Sequence, residues 1–201
     1  MSVDTPEDLL PPYNGVTLAE VRIVRTPLDA AAALAALLRA DAIGFDTESK
    51  PTLAKGEVST GPHLVQLATD ELAYLFQIGS AASAQTALGV LKPVLESESI
   101  LKVGFGLGDD LKRLRAKLGI EARNVLDLAT AMRRRGERNT LGAKTAVARF
   151  FGKKLQKSRR ITTTNWALPQ LSDKQLLYAA DDAHVALRLY RHWRALPPAD
   201  A

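Results

Sequence analysis

One stretch, residues 43–48, decides how the chain is expected to fold: Ile43-Gly44-Phe45-Asp46-Thr47-Glu48. It follows an alanine-rich helical pattern and predicts a short buried strand, residues 42–45, that ends in two carboxylates. Side chains alternate along a strand, so Asp46 and Glu48 should point to the same side. Two like charges held together repel each other unless both are solvated or a cation lies between them. The pair is therefore a candidate divalent-metal site, although such a pair also arises by chance in a chain of this length.

The composition limits the class of protein. The chain has 201 residues, enough for one domain with its own hydrophobic core. It has no cysteine, which excludes disulfides, a thiol nucleophile and a thiolate zinc site and fits a reducing cytoplasm. Residues 1–15 lack the basic start and apolar run of a signal peptide. No run of about 18 apolar residues occurs, so we expect a cytoplasmic domain without a membrane partner.

The net charge of +5 conceals a strongly basic segment. Residues 131–160 contain eleven lysines and arginines against one acidic residue, Glu137, so this segment carries +10 and the rest of the chain −5. Three of the arginines are consecutive: Arg133, Arg134 and Arg135. A block of this size is a candidate binding surface for a polyanion. The alternative is a solvated helical surface without a partner.

The order of the predicted elements indicates a mixed β-sheet flanked by helices, in a single α/β domain over residues 19–197. An irregular N-terminal arm, residues 1–18, precedes it. The predicted strands span residues 21–24, 42–45, 64–67, 72–76 and 100–103. The predicted helices span residues 28–40, 81–95, 107–118, 141–151 and 172–195. Residues 152–171 are predicted to form a loop, with Trp166 as a packing aromatic.

Two of these helices place a carboxylate beside an apolar face. Asp110 lies about 60° from the leucine stripe of its helix and Asp109 about 160° away, so Asp110 should border the core and Asp109 should face water. Compensation of the helix dipole is the alternative role for both. In the last helix, Asp182 shares an apolar face with Tyr178, whereas His184 is predicted to lie on the exposed face.

A carboxylate on an apolar face is costly, so we expect a cation or strong donors near Asp182. A buried hydrogen bond between Tyr178 and Asp182, four residues apart on one helix face, is the alternative. Three separate segments thus supply four carboxylates, and oxygen ligands alone suit Mg²⁺ or Mn²⁺. Four carboxylates can hold two such ions about 3.5–4 Å apart for an in-line displacement at phosphorus. Tyr178, with an ordinary phenol pKa near 10, would then orient the attacking water rather than act as a full base.

The same residues resemble the motifs of the DEDD superfamily of 3'-5' exonucleases, closest to the ribonuclease D and Werner-type exonuclease domains. The matching motifs are Phe45-Asp46-Thr47-Glu48, the stretch from Val103 to Leu111 that contains Asp110, and Tyr178-Ala179-Ala180-Asp181-Asp182-Ala183. The last motif has the Y-x-x-x-D form of the tyrosine subgroup. Supporting similarity includes Leu64-Val65-Gln66-Leu67 and Asn165-Trp166, so the resemblance covers about residues 20–195.

The resemblance implies a ribonuclease H-like α/β fold and a metal-dependent 3'-5' exonuclease. The implied substrate is RNA or single-stranded DNA with a free 3' end, and the implied products are 5'-mononucleotides. The implied catalytic residues are Asp46, Glu48, Asp110, Tyr178 and Asp182. Asp46, Glu48 and Asp182 are implied to bind the first metal ion and Asp46 with Asp110 the second, while Thr47 and Ser49 would lie near the terminal nucleotide.

One alternative to this interpretation concerns catalysis, and one difference from ribonuclease D concerns the length of the chain. A binding module of the same fold, without catalysis, would recognise nucleic-acid ends with the same surface. Ribonuclease D itself continues past its catalytic domain into helical nucleic-acid-binding domains, whereas this chain ends shortly after its last predicted helix. We therefore expect no additional helical C-terminal domain.

Overall fold

A six-stranded mixed sheet lies between two layers of helices. The computed structural model describes residues 9–52, 54 and 56–197, so residues 1–8 of the predicted arm lie outside the described part. The strands are β1 (Val21–Ile23), β2 (Ala42–Glu48), β3 (Leu64–Ala68), β4 (Ala73–Gln77), β5 (Leu101–Gly104) and β6 (Val125–Asp127). The helices are α1 (Pro27–Leu37), α2 (Ala81–Leu95), α3 (Gly108–Leu118), α4 (Leu128–Ala131), α5 (Ala143–Phe151), α6 (Arg159–Thr162) and α7 (Asp173–Ala195). The predicted α/β fold is confirmed.

The strand order β1-β4-β3-β2-β5-β6 places β2 inside the sheet. β3 runs antiparallel to both of its neighbours, β2 and β4, whereas β2, β5 and β6 run parallel. The carboxyl ends of β2 and β5 therefore meet at one edge of the sheet, together with the start of β3. That edge is where the stretch 43–48 ends and where α3 begins after β5.

Alternate side chains of β2 face the two helix layers on opposite sides of the sheet. Ile43 and Phe45 are fully buried against α1 and α2 on one face. The other face carries Gly44, which lies so close to α7 that a Cβ atom there would meet the carbonyl oxygen of Ala183 at 1.8 Å. α7 therefore packs directly on the backbone of β2. Since Asp46 and Glu48 have the same parity as Gly44, both face α7.

The helix ends follow local chemistry. Thr26 caps α1, with Pro27 in the first turn, and Ser172 with Gln175 forms a capping box at the start of α7. α1 ends at Leu37 rather than at residue 40. The apolar segment 124–132 divides into β6 and α4, and the short helix α6 interrupts the predicted loop 152–171. Trp166 is a packing residue, as predicted, with 1% of its surface exposed.

The prediction that His184 is exposed is wrong. His184 is only 7% exposed, and its Nε2 lies 3.4 Å from the carbonyl oxygen of Asp70, in the turn between β3 and β4. Beside it, the backbone N–H of Val16 donates to Asp181 Oδ1 at 2.7 Å. Two segments distant in sequence from α7 cover this face, which helical periodicity alone does not reveal. Within the described residues, no helix combines the length and apolar composition that crossing a membrane requires.

Candidate metal centre

β2 and α7 bring three predicted carboxylates together. Asp46, Glu48 and Asp182 each offer one oxygen atom, and these atoms lie within 4.8 Å of one another. The strand supplies two of them because Asp46 and Glu48 alternate with Thr47 and point to the same face. The helix supplies the third because Asp182 lies on the face of α7 that is packed on the sheet. The prediction that Asp46 and Glu48 share one side is confirmed.

Burial and mutual repulsion make ionisation of these carboxylates unfavourable. Burial, and then the neighbouring carboxylate of Asp182, raise the pKa of Glu48 to about 8. Burial and the charges of Asp182, Glu48 and Asp110 also hold the pKa of Asp46 well above its ordinary value. Each group thus resists ionisation because the others are close and water is largely excluded. A divalent cation between them would reverse this effect.

A lysine that the sequence did not single out, Lys157, contacts the cluster at Asp182. Its Nζ lies 2.7 Å from Asp182 Oδ1 and 5.6 Å from the centre of the Tyr178 ring. Burial alone would lower the pKa of Lys157, but the carboxylate of Asp182 raises it above the ordinary lysine value. The expectation of a cation near Asp182 is therefore confirmed. Lys157 lies in the connection between α5 and α6. This segment has no helical or strand periodicity from which the orientation of a side chain could be predicted.

Tyr178 lies one turn before Asp182 with its hydroxyl at the edge of the cluster. The hydroxyl is 2.8 Å from Thr162 Oγ1, at the end of α6, and the ring packs against Trp166 with a centroid distance of 6.0 Å. Burial, and then the charge of Asp182, raise the pKa of Tyr178 to about 12. The phenol is therefore protonated at neutral pH, a hydroxyl that can donate or accept a hydrogen bond.

Asp110 lies beside the three-carboxylate cluster, at the start of α3. Its side chain is 13% exposed, whereas that of Asp109 is 71% exposed, as the helical angles predicted. The hydroxyl of Thr47, on the opposite face of β2, donates to Asp110 Oδ1. Burial raises the pKa of Asp110 although this hydrogen bond opposes the rise. Asp110 is close enough to Asp46 for its charge to contribute to the raised pKa of Asp46.

The residues expected to contact the substrate do not form one cluster as the carboxylates do. Ser49 follows β2 directly, and its Oγ is buried without a hydrogen-bond partner in the described part of the chain. Thr47 is buried and its hydroxyl is engaged by Asp110. Arg133, Arg134 and Arg135 are exposed in the connection between α4 and α5. Among the described residues, Lys157 contacts Asp182 and Arg113 contacts Asp110.

The donor set fits divalent metal ions with oxygen ligands. Three carboxylates converge from β2 and α7, with Asp110 of α3 beside them, and no cysteine exists to favour a thiophilic metal. Burial, and after it the repulsion between the carboxylates, raises the pKa values of Asp46 and Glu48, and a bound cation would relieve that repulsion. The site is therefore suited to Mg²⁺ or Mn²⁺.

Comparison with known proteins identifies a family for most of the chain. The family model described as 3'-5' exonuclease matches residues 21–195. A "3'-5' exonuclease" from Arabidopsis thaliana is 30% identical over 162 residues, which cover 78% of this chain and 54% of the relative. The mouse "Bifunctional 3'-5' exonuclease/ATP-dependent helicase WRN" is 29% identical over 152 residues, 75% of this chain and 11% of WRN. The chain thus spans about half of one relative and a small part of the other.

Solved structures agree on the fold. The EXO domain of Nibbler from Aedes aegypti has a TM-score of 0.76 and 26% identity, and the match covers 90% of both chains. Ribonuclease D from Trypanosoma brucei has a TM-score of 0.79 and 22% identity, over 89% of this chain and 66% of that one. The second likeness establishes the ribonuclease D fold alone. The family model spans all six strands and α7, and it shows that the chain belongs to the 3'-5' exonuclease family.

Proposed function

We propose that this protein is a metal-dependent exonuclease that removes 5'-mononucleotides from the 3' end of RNA or single-stranded DNA. The observation that carries the proposal is the convergence of Asp46, Glu48 and Asp182, whose oxygen atoms lie within 4.8 Å of one another. Asp110 lies close enough for its charge to raise the pKa of Asp46. A cluster of this kind without a cation opposes its own ionisation, so it is built for metal binding rather than for stability.

Asp46, Glu48 and Asp182 would hold one ion, and Asp46 with Asp110 would hold the other. Bound there, such ions supply a nucleophilic water at neutral pH and stabilise the charge on the leaving oxygen of an in-line displacement. The chain's own residues prepare the site for this chemistry. Thr47 fixes the orientation of Asp110 by a hydrogen bond. The carboxylates of β2 are fixed because the strand lies inside the sheet.

Tyr178 and Lys157 act on the substrate and the water. The hydroxyl of Tyr178 is protonated, so it orients the attacking water by hydrogen bonding rather than removing a proton as a phenolate. Lys157 Nζ lies 2.7 Å from the carboxylate of Asp182 and 5.6 Å from the centre of the Tyr178 ring. Its ammonium group offsets the charge of Asp182 and offers a positive charge to a phosphate at the site. Arg133, Arg134 and Arg135, exposed between α4 and α5, would add positive charge for the strand, and Ser49 would lie beside the terminal nucleotide.

A binding module that recognises nucleic-acid ends without hydrolysis is the second candidate. The surface charge of residues 131–160 would serve it equally well. All four carboxylates and Tyr178 are present, however, and a module that only binds a polyanion gains nothing from a cluster of negative charge. The geometry therefore favours the enzyme.

The test is degradation of matched 5'-labelled single-stranded RNA and DNA of 12 nucleotides, with Mn²⁺. We compare the wild type with Asp46→Ala and with a matched pair on one helix, Asp110→Asn and Asp109→Asn. The pair removes the same charge from the first turn of α3, but only Asp110 faces the cluster. We expect a ladder that shortens from the 3' end, lost with Asp46→Ala and Asp110→Asn and retained with Asp109→Asn.

The same experiment identifies the sugar preference of the enzyme. No ladder on either strand, with binding of both strands intact, would support the binding module instead. Equal loss with Asp109→Asn and Asp110→Asn would show that α3 contributes only its helix-terminal charge.

A further inference from the structure

A glutamine in the core has no hydrogen-bond partner, although it lies beside the carboxylate cluster. Gln66, in the middle of β3, is fully buried. Within the described part of the chain, neither its amide nitrogen Nε2 nor its amide oxygen Oε1 has a hydrogen-bond partner. Buried polar groups are nearly always paired, because burial removes the hydrogen bonds that water would make. The amide of Gln66 therefore needs an explanation other than packing.

The strand register places Gln66 directly opposite Asp46. β2 and β3 are antiparallel, and the pairs include Asp46 with Gln66 and Glu48 with Leu64. Residues directly opposite each other in an antiparallel pair point to the same face, with Cβ atoms about 4.5–5.5 Å apart. The side chain of Gln66 therefore lies on the face of the sheet that carries Asp46 and Glu48 and that packs against α7.

The other strand positions next to Gln66 on this face are apolar. Leu64 and Ala68 are its neighbours along β3, and Leu75 is opposite it on β4. All three belong to the apolar cluster that the sheet forms with α7. Among the strand neighbours of Gln66 on this face, the polar groups are therefore the carboxylates of Asp46 and, diagonally, Glu48.

An amide is suited to orient a carboxylate that binds a metal ion. The NH₂ group of glutamine donates hydrogen bonds without carrying a charge, so it does not compete with the metal ion for the carboxylate as an ammonium group does. A hydrogen bond to the charged form of a carboxyl group favours that form, and a metal ligand must be deprotonated. Loss of such an orienting group usually lowers metal affinity about 10–100-fold.

We propose that Gln66 is a positioning residue of the metal centre, whose Nε2 donates a hydrogen bond to the carboxylate of Asp46 when that carboxylate holds a metal ion. Gln66 would do for Asp46 what the hydroxyl of Thr47 does for Asp110. The bond to Asp46 is not made in this structure, and rotation of either side chain would make it because opposed Cβ atoms are close. This inference rests on the proposed metal-dependent function.

The test is Gln66→Met, which keeps an unbranched side chain but removes the amide. The control is Leu67→Met, at the next residue of β3. Leu67 is equally buried, but it lies on the opposite face of the sheet, paired with Phe45. A hydrophobic substitution that conserves volume is usually tolerated there. The Mn²⁺ affinity of each protein is measured by titration calorimetry, and its Tm is measured in the absence of metal ions.

Gln66→Met should weaken Mn²⁺ binding about tenfold. Its Tm without metal ions should equal or exceed that of the wild type, because the substitution removes an unpaired buried amide. Leu67→Met should bind Mn²⁺ as the wild type does. Wild-type Mn²⁺ affinity in Gln66→Met would overturn the proposal, as would an equal weakening in Leu67→Met. A purely structural role for Gln66 predicts the opposite pattern, a lower Tm with unchanged Mn²⁺ affinity.

Gln66→Asn is the second variant, in case Gln66→Met does not fold. It keeps the amide but shortens the side chain by one methylene group, so the amide is drawn back from Asp46. Mn²⁺ affinity should fall in this variant too, and wild-type affinity would count against the proposal.

Hydrolysis of the 12-nucleotide strand separates this inference from the proposed function. The Mn²⁺ concentration that gives half of the maximal rate should rise about tenfold in Gln66→Met, in line with the weaker binding. A wild type that binds Mn²⁺ but hydrolyses no strand would refute the exonuclease function, and calorimetry would still decide the role of Gln66. Hydrolysis by the wild type, together with unchanged Mn²⁺ affinity in Gln66→Met, would refute the role of Gln66 alone.

Discussion

Substitution of Gly44 by alanine should separate the two halves of the metal site. Gly44 lies in β2, two residues before Asp46, and α7 packs directly on its backbone. A Cβ atom at Gly44 would lie 1.8 Å from the carbonyl oxygen of Ala183 and 2.7 Å from its carbonyl carbon. Ala183 is the neighbour of Asp182, so any retreat of α7 moves a carboxylate away from the cluster.

The size of the effect follows from this contact. Contacts under 3.0 Å essentially never occur, so a gap of 1.8 Å requires a retreat of about 1.2 Å. The obstacle is the backbone of a 23-residue helix, which cannot rotate aside as a side chain could. Overpacking of a core usually costs about 1–3 kcal/mol, and we expect the upper end here. For a domain of this size, about 3 kcal/mol lowers Tm by roughly 6–12 °C. A displacement of about 1 Å at the site should lower the rate of hydrolysis roughly 100-fold.

Thermal unfolding with and without Mn²⁺ measures the change in Tm caused by Gly44→Ala, and a matched variant serves as the control. Gly89→Ala makes the same chemical change inside α2, where the added Cβ has no atom within 4 Å. It should stabilise the protein by up to about 1 kcal/mol, because glycine is a poor helix former. A Gly44→Ala protein with the wild-type Tm and the wild-type increase in Tm on addition of Mn²⁺ would refute the reasoning. A loss of Tm in Gly89→Ala equal to that in Gly44→Ala would refute it as well.

Three further perturbations test single contacts. Tyr178→Phe removes the hydroxyl that orients the water, so kcat should fall about 100-fold or more while Mn²⁺ affinity, measured by calorimetry, stays within twofold. Lys157→Met leaves Asp182 without its cation, so the metal-free protein should lose about 3 kcal/mol of stability in chemical denaturation, and saturating Mn²⁺ should restore most of it. Arg191 donates to both carboxylate oxygens of Asp41, at 2.6 and 2.7 Å. Arg191→Met should therefore lower stability at pH 7 by up to about 1 kcal/mol, since the pair is exposed. These hydrogen bonds hold the pKa of Asp41 at about 2, below its usual 3.8. The contribution is fully present above pH 4 and is lost as the pH falls from about 4 to 2, so the difference between wild type and variant, measured by denaturation, should vanish there.

The parts of the site that lie on regular elements could be predicted from sequence. The direction of Asp46 and Glu48 follows from the two-residue period of a strand, and the difference between Asp109 and Asp110 follows from the helical angle. Both periods are local properties of the chain, so they need no knowledge of the tertiary structure. The strand order and the central place of β2 are consistent with the predicted fold class. No local sequence pattern predicts them, because they depend on pairing between distant strands.

The contacts that the sequence did not show arise between segments distant along the chain. Lys157 reaches Asp182 from a connection without a regular period, across 25 residues of sequence. His184 is buried because Asp70 and the segment around Val16 cover a face of α7 that its own pattern marks as exposed. The extent of the domain over residues 19–197 and the cytoplasmic location remain predictions.

Titration calorimetry with Mn²⁺ tests the central claim most directly, because it measures occupation of the carboxylate cluster without requiring a substrate. The wild type and Asp46→Ala are titrated at pH 7.5 up to millimolar Mn²⁺, with Asp109→Asn as the control. We predict two bound ions for the wild type and for Asp109→Asn, and loss of both for Asp46→Ala, since Asp46 is shared between the two positions. Absence of Mn²⁺ and Mg²⁺ uptake by the wild type at millimolar concentrations would contradict the metal-dependent mechanism.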